Sequence, residues 1–598
     1  MLNARLYRAA FLPFALALAL AAFSLTGSPS PLRSTLAPDA FEGSKAFAEL
    51  GSLAREFPDR SPGGHGDAAL AGRVAAELRG LGGTAGGGFT VRTHRYSAQT
   101  VDGERELTNV IAVRPGSTGA RPLAILAHRD ATSGGSARAE LSGTAALLEL
   151  ARVFAARETQ RTIVLVSTSG GSGGDAGATD FAAEEGGSLD AAIVLGDLAA
   201  ARLQKPLVVP FSDASGSAPV QLQRTVEDAI TTEAGSDPGA PSGFGQLAHL
   251  AFPLTVGEQG PLDAAGIPAV LVQASGERGP SASEPVSAAH LEGLGRSVLS
   301  AVDALDTGAD VPSAMQTGLL VQHQTIPAWA LRLLVGTLLL PPLIVAADGL
   351  ARARRRRLPV ARWALWTLLC AVPFLLLAVF VALLGAVGII GATPAAPVPP
   401  HALSFDGSAA ATVLVVLLAF VLAWLVWPML LRRAGLRARP ESDAAGVAML
   451  FVLLPVGVVV WIVNPFAALL LLPAIHLWLL VVSPELRPRP LVGLGLVLAG
   501  LLPLALLAAF YAEELGLGVG RVAWMAVLLL AGGHVGAPAA LLWSIALGCL
   551  AAVVMLALSA GGSTSGPQDD DTEQVTIRGP LSYAGPGSLG GTQSALRR

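Results

Sequence analysis

Few side chains in this sequence are spaced so that they could do chemistry. The first pair is His128 and Asp130, on either side of Arg129 and directly after the apolar run 123–127. An imidazole and a carboxylate two apart at a strand end can be a metal ligand with the acid that fixes its tautomer. Neutral imidazole binds metal through one nitrogen while the other donates a hydrogen bond. The same pair can also be a polar strand end capped by hydrogen bonds. Asp197 closes a second apolar run, Ile193-Val194-Leu195-Gly196-Asp197. Arg138 and Glu140, two apart, could pair with each other or stand as solvated surface charges. Glu184-Glu185 could be a displaced acid pair or a solvated helix face. Cys370 and Cys549 both sit inside apolar runs, so the chain has neither a disulfide framework nor a Cys-based zinc site.

The elements that would position these groups lie between residues 27 and 325. Strand-like runs occur at 89–96, 107–113, 123–127, 162–166, 191–195 and 269–273. Helix-like runs occur at 68–81, 141–156, 220–232 and 288–305. Over 141–156 the helical period places Leu147, Leu148, Ala151 and Phe154 on one face, and Glu149 and Arg152 on another. Strands alternating with helices predict an α/β sheet with helices on both faces.

From residue 326 onward the character changes. Eight apolar runs follow, at about 326–347, 363–390, 410–431, 445–463, 465–483, 490–511, 517–533 and 538–560. The shortest, 517–533, carries Arg521 and is the weakest. A further run at 9–26, behind Arg5 and Arg8, is a signal anchor or a cleaved signal peptide. Composition agrees with lipid as a partner. Of the 598 residues, 52% are hydrophobic and 14% charged, whereas roughly 25% are charged in soluble domains. Arg352 to Arg357, Arg432 to Arg439, and Arg487 with Arg489 fall in every second loop, and the loops between carry almost no Lys or Arg. By the positive-inside pattern the N-terminus is cytoplasmic and 27–325 is extracytoplasmic in a multi-pass cell-membrane protein. The net charge of −4 gives no field for nucleic acid. Ala, Gly, Leu and Arg dominate over Lys, as in a GC-rich bacterial genome. The Gly/Ser-rich stretch 561–598 reads as a disordered tail.

Five short motifs carry a resemblance. They are Arg60-Ser61-Pro62-Gly63; Thr108-Asn109-Val110-Ile111-Ala112-Val113 with Pro115-Gly116; His128-Arg129-Asp130; Ser142-Gly143-Thr144-Ala145-Ala146-Leu147-Leu148-Glu149-Leu150-Ala151-Arg152; and Gly266-Ile267-Pro268-Ala269. In this order they resemble the family-28 metallopeptidases, the zinc-dependent aminopeptidase and glutamate carboxypeptidase group. A multi-spanning region after such a domain is similar to the endoplasmic-reticulum members of that family. The resemblance implies a zinc-exopeptidase-like mixed sheet sandwiched by helices. It also implies two zinc ions, a bridging water as nucleophile and a Glu as general base.

Carried over residue by residue, that site is degenerate. His128 stands at the first zinc ligand and Asp130 at the acid behind it. Asp197 stands at a later ligand. Arg138 occupies the place of the bridging Asp, and a guanidinium has no lone pair to give a metal. Gly171 occupies the place of the general base, and Ser172 that of the next ligand. The last His is missing, since none lies between His249 and His290; Ser281 and Ser283 occupy the region. Gly257-Glu258-Gln259-Gly260-Pro261-Leu262 replaces a family Ser-Asp-His motif.

The expectation is therefore a membrane-anchored, metallopeptidase-like protein without catalysis. It would bind a peptide or protein in the old substrate cleft, with no cofactor, or with zinc if the site is active. One alternative is an active exopeptidase rewired through Glu140, Asp175, Glu184, Glu258 or His249. Another is a transporter-like membrane unit with the outer domain as its sensor.

Overall fold

The computed structural model describes residues 4–81, 88–132, 137–321, 324–390, 397, 402, 405–433, 443–483, 485–486 and 488–559. The tail read as disordered lies outside these residues, as do Arg437, Arg439 and Arg487 of the basic loops.

Helices α1 (Ala4–Ala9) and α2 (Leu12–Phe23) open the chain and lead to β1 (Thr26–Gly27). The α/β part then runs α3 (Gly43–Glu56), α4 (His65–Gly80), β2 (Thr90–Thr100), β3 (Gly103–Arg114), β4 (Leu123–His128), α5 (Ser142–Ala155), β5 (Ile163–Thr168) and α6 (Ala176–Glu185). It continues with β6 (Ala191–Leu195), β7 (Val208–Val209), α7 (Val220–Ala229), α8 (Gly243–Ala251), α9 (Gln259–Ala264), β8 (Ala269–Val272) and α10 (Ala288–Thr307). Strands β9 (Leu319–Val321) and β10 (Gln324–Ile326) pair with β1 in a small antiparallel sheet at the entry to the apolar helices.

The main sheet has the order β2-β3-β5-β4-β6-β8-β7. Its centre, β5-β4-β6-β8, is parallel, while β2, β3 and β7 join antiparallel. The central strands are buried along nearly their whole length, which is why they read as continuous apolar runs rather than alternating ones. Alternate residues face opposite layers. Ile125, Ile163, Leu165 and Ile193 meet α3, α4, α5, α7 and α10. Leu126, Val164, Val166 and Val194 meet Phe181 of α6 and Leu262 of α9.

The hairpin β2–β3 extends beyond the strand-like runs because its outer half alternates exposed and half-buried residues, as an edge does. Helices α3, α6, α8 and α9 were not expected. The sequences of α6 and α9 are short and rich in Ala and Gly, with little 3.6-residue period. Helix α5 differs from its amphipathic reading, since almost all of it is buried. Glu149 is covered by α3, and its carboxylate accepts from the Glu42 backbone N–H at 3.3 Å and from Arg152 at 2.8 Å.

The apolar region comprises α11 (Ala328–Arg355), α12 (Val360–Cys370), α13 (Val372–Ala386), α14 (Gly407–Arg433), α15 (Asp443–Val463), α16 (Pro465–Val481), α17 (Pro490–Glu514), α18 (Val519–Ala531) and α19 (Ala537–Ser559). Among the described residues, seven helical stretches, with Arg5–Phe23 and the joined Val360–Ala386 counted among them, are long and apolar enough to cross a membrane; α16 and α18 are shorter. The run at 363–390 divides at Ala371, before Pro373, whose missing N–H interrupts the backbone ladder. His476, inside α16, uses both ring nitrogens, one with Tyr7 Oη at 2.7 Å and one with the Leu338 carbonyl at 3.0 Å.

The α/β domain rests directly on this bundle. Leu250 and Ala251 of α8 pack on Leu331, Phe466 and Leu470. Asn464 caps α16 through Oδ1, and its Nδ2 donates to the Leu250 carbonyl at 2.8 Å. The Tyr511 hydroxyl donates to the Phe252 carbonyl at 2.6 Å.

Candidate functional site

In open α/β sheets the loops at the carboxyl ends of parallel strands form the site, above all where the strand order reverses. Here the chain passes from β4 to β5 on one side and then to β6 on the other, so the reversal lies at β4. His128 ends β4, the loop 169–175 follows β5, and Asp197 follows β6. Helix α5 begins close beneath them. A Cβ on Gly143 would lie 2.4 Å from the Leu195 carbonyl oxygen, so only glycine lets this helix start so near β6.

Two buried arginines hold the loops in place. Arg60 donates to the carbonyls of Phe57, Arg129 and Ala137. Arg129 pairs with Asp67 at 2.8 Å and donates to the carbonyls of Thr108, Ser167 and Thr168. Asn109 of the Asn-Val-Ile-Ala motif donates to the Gly177 carbonyl at 3.0 Å and so ties the 169–177 segment to the sheet. The motif order had marked Arg60 and Asn109, but not their roles as loop clamps. Asp67 carried no sequence signal beyond its charge.

A small cavity of about 40 Å³ sits among these loops, lined by His128, Glu140, Gly171, Ser172, Asp175, Asp197, Glu258 and Glu277 among others. Roughly 10–15 Å³ of such space holds one water, so this cavity takes a small chemical group the size of a few waters. His128, Asp197, Gly171 and Ser172 all border it. Arg138 does not. Its side chain is exposed and lies against Gly51 of α3, while the buried Glu140 takes the cavity side of that turn.

The two carboxylates carried over from the resemblance are engaged within the protein. Asp130 accepts from the backbone N–H groups of Gly171 and Ser172, both at 3.1 Å, and from Ser172 Oγ at 2.5 Å. It thus anchors the loop after β5. In Asp197, Oδ1 accepts from the N–H groups of Ala199 at 2.9 Å and Ala200 at 2.8 Å, and Oδ2 accepts from Ser275. Burial pushes the Asp197 carboxyl up to about 6, and those hydrogen bonds oppose the rise.

Glu258 comes to His128, a proximity that the linear spacing of 130 residues hides. Its Oε2 lies 3.8 Å from His128 Nδ1, and its Oε1 accepts from Thr168 Oγ1 at 2.5 Å. Burial raises the Glu258 carboxyl, against the pull of His128 and Thr168. Asp175 holds a left-handed backbone conformation (φ 53°) at the start of α6. Burial holds its acid well above the usual range, reinforced by Glu258, Asp213 and Asp130. The remaining candidates stand elsewhere. Glu184 and Glu185 pair with Arg92 on the outer side of α6. His249 stacks on Phe211 and meets Glu277 at 3.1 Å, at the junction with the apolar helices.

The sequence model of Peptidase family M28 matches residues 109–253. The domain has the M28 fold. Similar solved structures include a glutaminyl cyclase of Porphyromonas gingivalis, at 18% identity and a TM-score of 0.33, covering 44% of this chain and 99% of that one. A zinc aminopeptidase from Bacillus subtilis is similar at 11% identity and 0.36, covering 46% and 98%. The LapA aminopeptidase of Legionella pneumophila is similar at 14% and 0.36, covering 46% and 74%. No curated protein matches the chain.

M28 peptidases are typically zinc enzymes, so the donor set of this M28-like domain can be tested for fit. Zinc needs at least three protein ligands, with lone pairs aimed at one point. Here the Asp197 oxygens are turned to backbone and serine donors, and Asp130 to the 171–172 loop. Among the described residues no group of three or more His, Cys, Asp or Glu is placed to hold one metal ion. As placed, these side chains do not make the two-zinc donor set. What they do make is a narrow acidic cavity in which buried carboxyls face a single imidazole.

Proposed function

We propose that this chain is a membrane-anchored, M28 peptidase-like protein that binds a peptide or protein segment at the old cleft and does not hydrolyse it. The observation that carries this reading is the internal engagement of Asp130 and Asp197. The acids that would orient and ligate zinc serve the fold instead. Gly171, at the place of the general base, brings no proton acceptor, and loss of a general base typically costs 10²–10⁴-fold in rate. A chain end or a backbone carbonyl is the size of group the cavity admits, and protonated Asp175 or Glu258 could donate to it.

The same reading places residues 27–325 outside the cell. The alternation of the Arg-bearing helix ends supports this side, since α11 and α14 finish in arginines at the ends away from the domain.

The test is elemental mass spectrometry on the full chain in detergent, equilibrated with trace zinc and dialysed, together with assays on aminoacyl arylamides. Near-zero zinc and no hydrolysis above blank are expected. Stoichiometric zinc with hydrolysis would overturn the reading.

The His128–Glu258 contact favours a second reading, a rewired exopeptidase that uses this pair for proton transfer. In that case hydrolysis would be present without bound zinc and would fall sharply in Glu258→Gln.

A further inference from the structure

Helices α11 and α15 pack tightly at the end next to the domain. A Cβ on Gly336 would lie 2.7 Å from Trp461 Cζ2, and Trp461 Nε1 donates to the Arg332 carbonyl at 2.8 Å. Farther from the domain, Pro341 and Pro342 of α11 and Pro455 of α15 each interrupt a backbone ladder. Between the far parts of the two helices lies a groove of about 420 Å³. That is within the range of small-molecule sites, ~300–1,000 Å³. Ala346 and Leu454 form its buried floor. Its rim is open: Ala347, Ala351 and Arg354 of α11 and Phe451 and Pro455 of α15 line it and are exposed, Phe451 by 49%. Both helices are long and apolar enough to cross a membrane, so an opening between them along this length meets acyl chains.

One end of the groove is basic. Arg354 lines it, and Arg355, Arg356 and Arg357 follow, all exposed. Asp348, the acid nearest in sequence, is taken by Arg352 at 2.7 Å. Among the described residues no carboxylate pairs with Arg354, Arg355, Arg356 or Arg357. A guanidinium matches a phosphate with two parallel N–H donors. The carboxyl end of a helix disfavours an anion, so the arginines supply the attraction here. From Leu343 to Arg354 the helix rises about 16 Å at ~1.5 Å per residue, close to half of the ~30 Å hydrocarbon core and so to the depth of one leaflet. The apolar floor and the basic end are thus spaced as the chain and the phosphate of one lipid are.

We propose that the α11–α15 groove binds an anionic phospholipid of the leaflet away from the domain, with an acyl chain along Leu343, Phe451 and Leu454 and its phosphate on Arg354. With residues 27–325 outside the cell, that leaflet is the cytoplasmic one. A zwitterionic lipid offers the same chains and a phosphate already paired with its own cation, so the groove discriminates by net charge.

The test uses the full chain in phosphatidylcholine nanodiscs with trace phosphatidylglycerol carrying a diazirine in one acyl chain, beside phosphatidylcholine with the same chain. Labelled peptides should map to 343–354 and 451–455, with phosphatidylglycerol labelling the more strongly. Arg354→Gln should lower phosphatidylglycerol labelling about fivefold, the effect of one basic side chain near an anionic lipid, and leave phosphatidylcholine labelling unchanged. Arg356→Gln, outside the groove, should have a clearly smaller effect. Ala347→Trp and, separately, Ala351→Trp should block labelling by both lipids; two filling variants guard against one that fails to fold. Equal labelling by the two lipids, or equal losses in Arg354→Gln and Arg356→Gln, would overturn the proposal, the latter by leaving only a diffuse basic surface. So would labelling that persists in both folded tryptophan variants, or displacement of the lipid by inorganic phosphate. None of these results depends on whether the M28-like cleft binds a peptide or cleaves one.

Discussion

Gly171 lies directly against His128: a Cβ built on Gly171 would fall 2.5 Å from His128 Cβ and 2.8 Å from its Cγ. The loop after β5 packs onto the imidazole, and the space that a side chain at 171 would need is taken. Gly171→Ala should therefore destabilise the chain by about 1–3 kcal/mol through overpacking. Gly171→Glu should destabilise it at least as much and yield no peptidase activity. Thermal unfolding in detergent and an arylamide assay check both. A Gly171→Glu variant that is stable and gains zinc-dependent hydrolysis would show that the loop can swing back to an open site.

Asp130 holds that loop by three hydrogen bonds. Asp130→Ala strands two buried N–H groups and should cost several kcal/mol, each unsatisfied donor being worth roughly 1–3 kcal/mol. Hydrogen exchange at Gly171 and Ser172 should quicken far more than in β6. Uniform exchange across the domain would mean that Asp130 acts on global stability and not on this loop.

The pH dependence of stability has a definite sign at Asp197. Its folded carboxyl titrates near 6, against about 3.9 unfolded. Between those values the native state holds a proton that the unfolded state has released. Stability therefore falls as pH rises through this window, on the order of 2–3 kcal/mol in all. Asp197→Asn removes the titration, so the fall in melting temperature from pH 4 to pH 6 should be shallower than in the parent. An unchanged slope would assign the effect to the other buried acids.

The domain is fastened to the bundle at Tyr511. Tyr511→Phe loses the bond to the Phe252 carbonyl and should cost about 1 kcal/mol. Faster hydrogen exchange confined to 248–254 is the signature to look for. Protection equal to that of the parent chain would show that the apolar contacts alone fix the junction.

Sidedness can be read with thiol labelling, because the native Cys370 and Cys549 are buried. In intact cells a membrane-impermeant maleimide should label Glu104→Cys, on an exposed stretch of β3, and spare Arg356→Cys, after α11. The reverse pattern would place the domain in the cytoplasm.

The sequence by itself determined the layout. Apolar runs at 123–127, 162–166 and 191–195 read as strands of an α/β sheet, and several of the runs after 326 are too long and too uncharged for a soluble core. The ordered motifs pointed to an M28-like fold, and several of them mark places where the structure is tightly held. Gly143 under β6 and Asn109 clamping the loop after β5 are two such places. The sequence also gave the residue types at the inherited positions. It could not say what those residues touch. Whether Asp130 faces His128 or the 171–172 loop, and whether Arg138 or Glu140 fills the turn before α5, depends on where two loops settle. Local spacing does not encode that choice. The contact of Glu258 with His128 and the bond of Tyr511 to the Phe252 carbonyl join residues far apart in the chain. Such pairings follow from how the strands order in the sheet and how the domain seats on its helices, so only the tertiary structure decided them.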